Sequence, residues 1–286
     1  MRVVDGRGGE FYAGGPTGFL LAHGLTSSPT EMRFLAQSLA RAGFTVSVPM
    51  LAAHGNGRAE LESSRWQDWR DGLIGDLQSL RRRCDRIVVG GASAGAVVAL
   101  QAAMAQPSLV HGLALYAPAL WPDGWAIPRP LRFFRLVNHR WFARLFHFRD
   151  TEPFGIKDQR LRSIVLAQLA HAEEPGQIIG GYPGTALMEL RKMVAQTLPA
   201  IAAIKQPTLV FHPRDDDMSD LSGAQRIVRA LGGPTEMIVL ENSYHLVALD
   251  QQRQLVADRS TAFGIEIDQS QREARRRGAH LVVRNS

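Results

Sequence analysis

The chain has one cysteine, Cys84, among its 286 residues. No disulfide can form within it, and a reducing, cytoplasmic setting fits. Cys84 closes a basic run with no metal-ligand spacing around it, so it reads as an inert thiol and no metal is expected. Long apolar runs are missing too. Nothing approaches the roughly 20 residues needed to span a bilayer. The opening Met1-Arg2-Val3-Val4-Asp5-Gly6 lacks the apolar run of a signal peptide. Internal repeats and low-complexity stretches are absent. Acidic residues are the minority, 27 against 33 Lys and Arg, giving a net charge of +6 and a pI near 10.1. That excess raises the question of a nucleic-acid partner. Its two main clusters are Arg81-Arg82-Arg83, at the end of a predicted helix where cations suit the dipole, and the tail around Arg275-Arg276-Arg277. Neither belongs to a nucleic-acid motif, and both read as solvated surface, so no nucleic-acid partner is expected.

What is present is an ordinary globular composition, 45% hydrophobic and 21% charged, enough to bury a sizeable core. Strand-like runs at Phe19–His23, Thr45–Val48, Arg86–Gly90, Leu113–Tyr116, Thr208–Phe211 and Glu236–Leu240 alternate with helical ones. Ser28-Pro29-Thr30-Glu31 reads as a capping box with proline at the first helical position. Strand–helix alternation predicts an α/β fold, a mostly parallel sheet flanked by helices on both faces. Right-handed crossovers then gather His23, Ser93, Pro118, His212 and Asn242 along the carboxyl edge of the sheet, where ligands bind in such folds.

The densest signal is Gly91-Ala92-Ser93-Ala94-Gly95, between the strand ending at Gly90 and an Ala-rich helix. A G-x-S-x-G segment in a strand–turn–helix context is a nucleophile elbow. The serine sits on a strained turn while helix passes close to strand, so only small neighbours fit. A serine hydroxyl needs a base, and the base an orienting acid. His245, in Asn242-Ser243-Tyr244-His245 directly after the last strand, enters where the base should. His139, His147, His171 and His280 lie elsewhere, and His212 belongs to the loop that should carry the acid. That loop, His212-Pro213-Arg214-Asp215-Asp216-Asp217-Met218, offers three carboxylates, and spacing does not choose among them. Two backbone N–H groups would hold the oxyanion, that of Ala94 and, from the loop His23-Gly24-Leu25-Thr26, most simply that of Leu25.

These stretches, with Gly14-Gly15-Pro16-Thr17-Gly18-Phe19-Leu20-Leu21-Ala22 leading into the first loop, resemble the α/β-hydrolase superfamily, and most closely bacterial carboxylesterases and monoacylglycerol lipases. The resemblance covers about residues 10–118 and 185–263. It implies a Ser93–His245–Asp216 triad, with the acid at Asp216, and an oxyanion hole from Leu25 and Ala94. Two features depart from it: bulkier residues usually stand at Leu25 and Ala94, and the usual cap is shorter. The function implied is hydrolysis of a carboxylic ester with an apolar acyl part through an acyl-enzyme, with no cofactor. An acyltransferase or thioesterase would use the same triad, and a non-catalytic binding protein could keep the fold.

The alternation stops between Ala119 and Gln206, so the organisation expected is a hydrolase core (1–118 and 207–263), a helical cap inserted at 119–206 and a basic tail (264–286) whose composition permits disorder. Eight aromatic residues fall between Trp121 and Phe148. Their spacing over Pro130–Phe148 predicts a helix packing its stripe on the core, with solvated arginines between. The sharper alternative is a lid whose apolar face lines an acyl pocket while its basic face meets anionic lipid or an acidic substrate. His23, Trp121, Trp125 and Phe133 are the candidate substrate contacts. Gly180-Gly181-Tyr182-Pro183-Gly184 reads as a flexible turn that could hinge the cap.

Overall fold

The computed structural model describes residues 2–6, 8–149, 151–170 and 181–284, with backbone alone for Arg132, 165–166, 168–170 and 271–284. Its main sheet has eight strands: β1 (Arg2–Val4), β2 (Glu10–Tyr12), β3 (Thr17–Ala22), β4 (Thr45–Val48), β5 (Arg86–Ala92), β6 (Gly112–Tyr116), and, after the small pair β7 (His147–Phe148) and β8 (Tyr182–Pro183), β9 (Thr208–Pro213) and β10 (Thr235–Leu240). Their order is β1-β2-β4-β3-β5-β6-β9-β10. The strands from β4 to β10 run parallel, while β2 pairs antiparallel with both β4 and β1. The α/β fold is as expected. The strands β1 and β2, at one end of the sheet, went unseen because three-residue runs carry no period.

Central strands are buried on both faces, as parallel strands between helices must be. Successive side chains point to opposite faces. Leu20, Val89 and Val210 enter one core, with Trp69, Leu73 and Val97; Phe19, Leu21, Val88 and Phe211 enter the other, with Leu35, Leu39 and Val256. The helices are α1 (Arg33–Arg41), α2 (Arg58–Ser63), α3 (Trp66–Arg81), α4 (Ala94–Ala105), the short α5 (Arg140–Ala143), α6 (Gln159–Ala170), α7 (Gly184–Thr197), α8 (Leu221–Ala230) and α9 (Arg253–Arg284).

Three local expectations are corrected. Pro29–Met32 is a 3-10 turn, and Ser28 makes no side-chain cap bond, because Glu31 turns inward instead of back to Ser28. Residues past Phe263, expected as a tail, continue the last helix through Gly264, where a Cβ would come within 2.8 Å of the Phe19 and Phe44 rings. Beyond it Ile267 is buried and Asp268 accepts from Thr17 Oγ1 and pairs with Arg86. Only part of the aromatic stripe at Pro130–Phe148 lies on the core, Phe134 within it and Val137 and Phe148 packed against it. The segment breaks into a 3-10 turn (Arg129–Leu136), α5 and β7. Leu131, Phe134 and Ala143 are buried, but Phe133, Leu136, Trp141, Phe142 and Leu145 are exposed. Nor are its arginines all solvated. Arg140 pairs with the buried Glu189 and donates to the Glu62 and Ser64 carbonyls, and Arg135 pairs with Asp123 and lies over Trp121.

Candidate active site

The elbow is built by close approach. Ser93 has φ 54° and ψ −120°, a strained conformation tolerated where surrounding structure dictates it. A Cβ at Gly91 would sit 2.3 Å from the Gly95 backbone, and one at Gly95 would sit 2.3 Å from the His23 carbonyl oxygen. Glycine on both sides lets β5, α4 and the loop after β3 meet at one point. Ser93 is held there by its N–H donating to the Tyr116 carbonyl at 2.9 Å. Ala94 is the first residue of α4, where helix geometry leaves an N–H without an intrahelical acceptor.

The loop after β10 brings in His245, whose Nδ1 lies 2.8 and 3.0 Å from the two oxygens of Asp216. Asp216 Oδ1 also accepts the Met218 and Ser219 N–H groups, and His212 Nε2 stands 3.4 Å from Oδ2. His212 is therefore behind the carboxylate, buried in β9, with Nε2 donating to the Ser219 carbonyl. Burial alone would lower the His245 pKa, but the Asp216 charge and hydrogen bond, with Asp217 and Glu31, raise it above the ordinary value. Burial would raise Asp216, and the His245 charge overrides it and holds it low.

The three adjacent aspartates separate in space. The Asp215 backbone carbonyl accepts from Trp125 Nε1. Asp216 faces His245. Asp217, fully buried, accepts the N–H of His245 at 3.2 Å and of Gly155 at 2.7 Å. A further carboxylate, Asp250, accepts from the N–H groups of Tyr244, Lys157 and Asp158. The two clamp the His245 loop to the stretch 155–158.

Leu25, Ser93, Ala94 and His245 line one cavity of about 20 Å³, with Leu187, Tyr182 and Met218 among its other walls. Behind the Leu25 loop the Gly24 N–H donates to Glu31 at 2.8 Å. Burial pushes the Glu31 carboxyl above the ordinary range, against the Gly24 hydrogen bond. Sequence reasoning missed this role because Glu31 also satisfies a capping-box pattern. Nothing in the sequence flagged Asp250.

The four candidate substrate contacts do not line this cavity. His23 is fully buried beneath it, one nitrogen on the Gly24 carbonyl and the other accepting the Leu51 N–H, and burial lowers its pKa to about 3. Trp121 is buried, whereas Trp125 and Phe133 are 59% and 74% exposed. Phe133 departs from expectation because its segment is not the single helix that the spacing implied. The glycine-rich turn is not loose in its described part either: Tyr182–Pro183 pairs with His147–Phe148. Gly180 and His171 lie outside the described residues. Among those described, no group of three or more His, Cys, Asp or Glu is placed to hold a metal, and no helix is long and apolar enough to cross a membrane.

A serine on a strained strand–helix turn, sharing a cavity with an imidazole backed by a buried carboxylate, is equipped for nucleophilic attack on a carbonyl. The sequence profile of the family described as serine aminopeptidase, S33 (Hydrolase_4) matches residues 18–252. The chain belongs to this family. It is 29% identical over 255 residues to the thermostable monoacylglycerol lipase of Bacillus sp. (strain H-257), covering 88% of this chain and 92% of that one. A solved structure from work on the metagenome-derived lipolytic enzymes LipS and LipT superposes with a TM-score of 0.75 at 28% identity, over 92% of this chain and 99% of that one. A soluble variant of monoglyceride lipase from Saccharomyces cerevisiae, solved with a substrate analogue, shares the fold, with a TM-score of 0.76 at 15% identity over 91% and 92% of the two chains. The protein is thus an α/β-hydrolase.

Proposed function

We propose that this α/β-hydrolase, a serine ester hydrolase, cleaves carboxylic esters with an apolar acyl part, monoacylglycerols among them. Ser93 attacks the carbonyl, His245 takes its proton and returns it to the leaving alcohol, and Asp216 orients the imidazole. The Leu25 and Ala94 N–H groups hold the oxyanion. Water activated by His245 then releases the acid. The carrying observation is the cavity that Ser93, His245, Leu25 and Ala94 share, with His245 Nδ1 2.8 Å from a buried Asp216. The lipolytic relatives support the substrate class.

Residues 119–206 act as the cap. Its exposed Phe133, Leu136, Trp141, Phe142 and Leu145 are interleaved with arginines and meet anionic lipid surfaces that hold the substrate. The single buried Cys84 supports a reducing, cytoplasmic setting. Turnover of p-nitrophenyl esters that disappears in Ser93→Ala tests the reaction, and turnover that persists refutes it. Flotation with anionic vesicles tests the lipid contact. Absence of binding at low salt excludes it.

A further inference from the structure

The cavity beside Ser93, about 20 Å³, has room for about one water molecule and no acyl chain. A second cavity of about 290 Å³ lies next to it, walled by Ile127, Pro128, Leu131 and Phe148, with His147 and Arg149 among the polar contributors. Cavities of roughly 150 Å³ accept benzene, so the second one can take a chain of about ten carbons. Tyr182 and Met218 are walls of both cavities, and Tyr182 Oη stands 3.9 Å from Met218 Sδ. Both side chains thus border the serine's cavity and the larger space, where a partition would stand.

We propose that this partition determines acyl-chain specificity: long chains reach the larger cavity past Met218, and Tyr182–Met218 is the door they must part. The proposal rests on the ester-hydrolase reading above and adds where the chain goes.

The backbones on either side are fixed. Tyr182 lies in β8, paired with Phe148, beside Gly181, where a Cβ would come 2.2 Å from the Phe148 carbonyl oxygen. The Met218 N–H is bound to Asp216, and its carbonyl accepts from Asp123 and Gly124. Opening therefore falls to side-chain rotation. Methionine, unbranched with three rotatable bonds, does this at little cost. The position of Met218 also has a consequence for catalysis. A truncated side chain leaves its backbone grip on Asp216 in place, so specificity changes separately from the triad.

The test is the ratio of kcat/KM for p-nitrophenyl decanoate over acetate, below micellar concentrations, in wild type, Met218→Ala and Leu131→Trp. Removing the door raises the ratio ~5-fold or more, and filling the cavity lowers it ~10-fold, the scale on which apolar pockets discriminate chain length. Ratios within about 2-fold of wild type in both variants overturn the proposal. Ile127→Phe fills the same wall if Leu131→Trp fails to fold. Binding of decanoic acid by calorimetry reads the cavity without turnover. Decanoate that binds wild type and not the filled variant supports the compartment even if no ester is cleaved, and equal binding by both refutes it.

Discussion

The proposed mechanism gives the sequence neighbours Asp216 and Asp217 separate tasks, and conversion of each to asparagine separates them. In Asp217→Asn, one oxygen replaces two, so either the Gly155 or the His245 N–H faces an amide donor in a fully buried site. Losing one charge-assisted bond and weakening the other costs about 2–4 kcal/mol. At roughly 2 °C or a little more per kcal/mol for a chain of this length, Tm falls by about 4–10 °C. The triad stays intact, and kcat falls far less than in the neighbouring variant. In Asp216→Asn, the amide oxygen can keep the Met218 and Ser219 N–H groups, so stability changes by only about 1 kcal/mol. Its NH2 then faces His245 Nδ1, forces the other tautomer and puts a proton on the nitrogen that must accept one from Ser93. A loss in kcat on the order of 10⁴ follows. Calorimetric unfolding and p-nitrophenyl butyrate turnover of both variants measure the two quantities. Asp217→Asn with an unchanged Tm and a kcat as low as that of Asp216→Asn would refute the division of labour.

Four further outcomes are expected. In the proposed mechanism His245 acts as a base only when neutral, and Asp216 raises its pKa; kcat/KM therefore rises with pH through a midpoint above the reference value of about 6.5, and a flat profile from pH 5 to 8 contradicts this. Gly95→Ala forces a methyl to within 2.3 Å of the His23 carbonyl oxygen and yields unfolded or inactive protein, read by circular dichroism and turnover. Gly75→Ala, on the exposed side of α3 with nothing within 4 Å, raises stability by ~0.5–1 kcal/mol in urea unfolding. Cys84, buried and with its pKa raised by burial, does not react with a thiol reagent until the chain is denatured.

How much the sequence disclosed follows from how local each cause is. The inner strands declare themselves because burial on both faces demands continuous β-branched and apolar runs. The elbow declares itself because backbone crowding admits only Gly and Ala around Ser93. His245 follows from its place after the last strand. The choice of Asp216 over its neighbours depends on which way each carboxylate turns in the folded loop, and three adjacent identical residues carry no such information. Glu31 was hidden by a pattern that fits a helix cap equally well. The 119–206 segment was least legible. Its aromatics have helical spacing, but the segment breaks into short pieces with half the stripe turned outward, and its Arg140 is held by Glu189 and the Glu62 and Ser64 carbonyls, partners distant in sequence. The tail likewise depended on a distant partner, the Phe19 and Phe44 rings that receive Gly264.

The central claim is that Ser93 is the nucleophile of an ester hydrolase. Incubation with a fluorophosphonate followed by peptide mass spectrometry tests it most directly. The account predicts a single adduct on Ser93, loss of p-nitrophenyl ester turnover in step with labelling, and neither label nor turnover in Ser93→Ala. Turnover that survives labelling, or an adduct on another residue with Ser93→Ala still active, would contradict it.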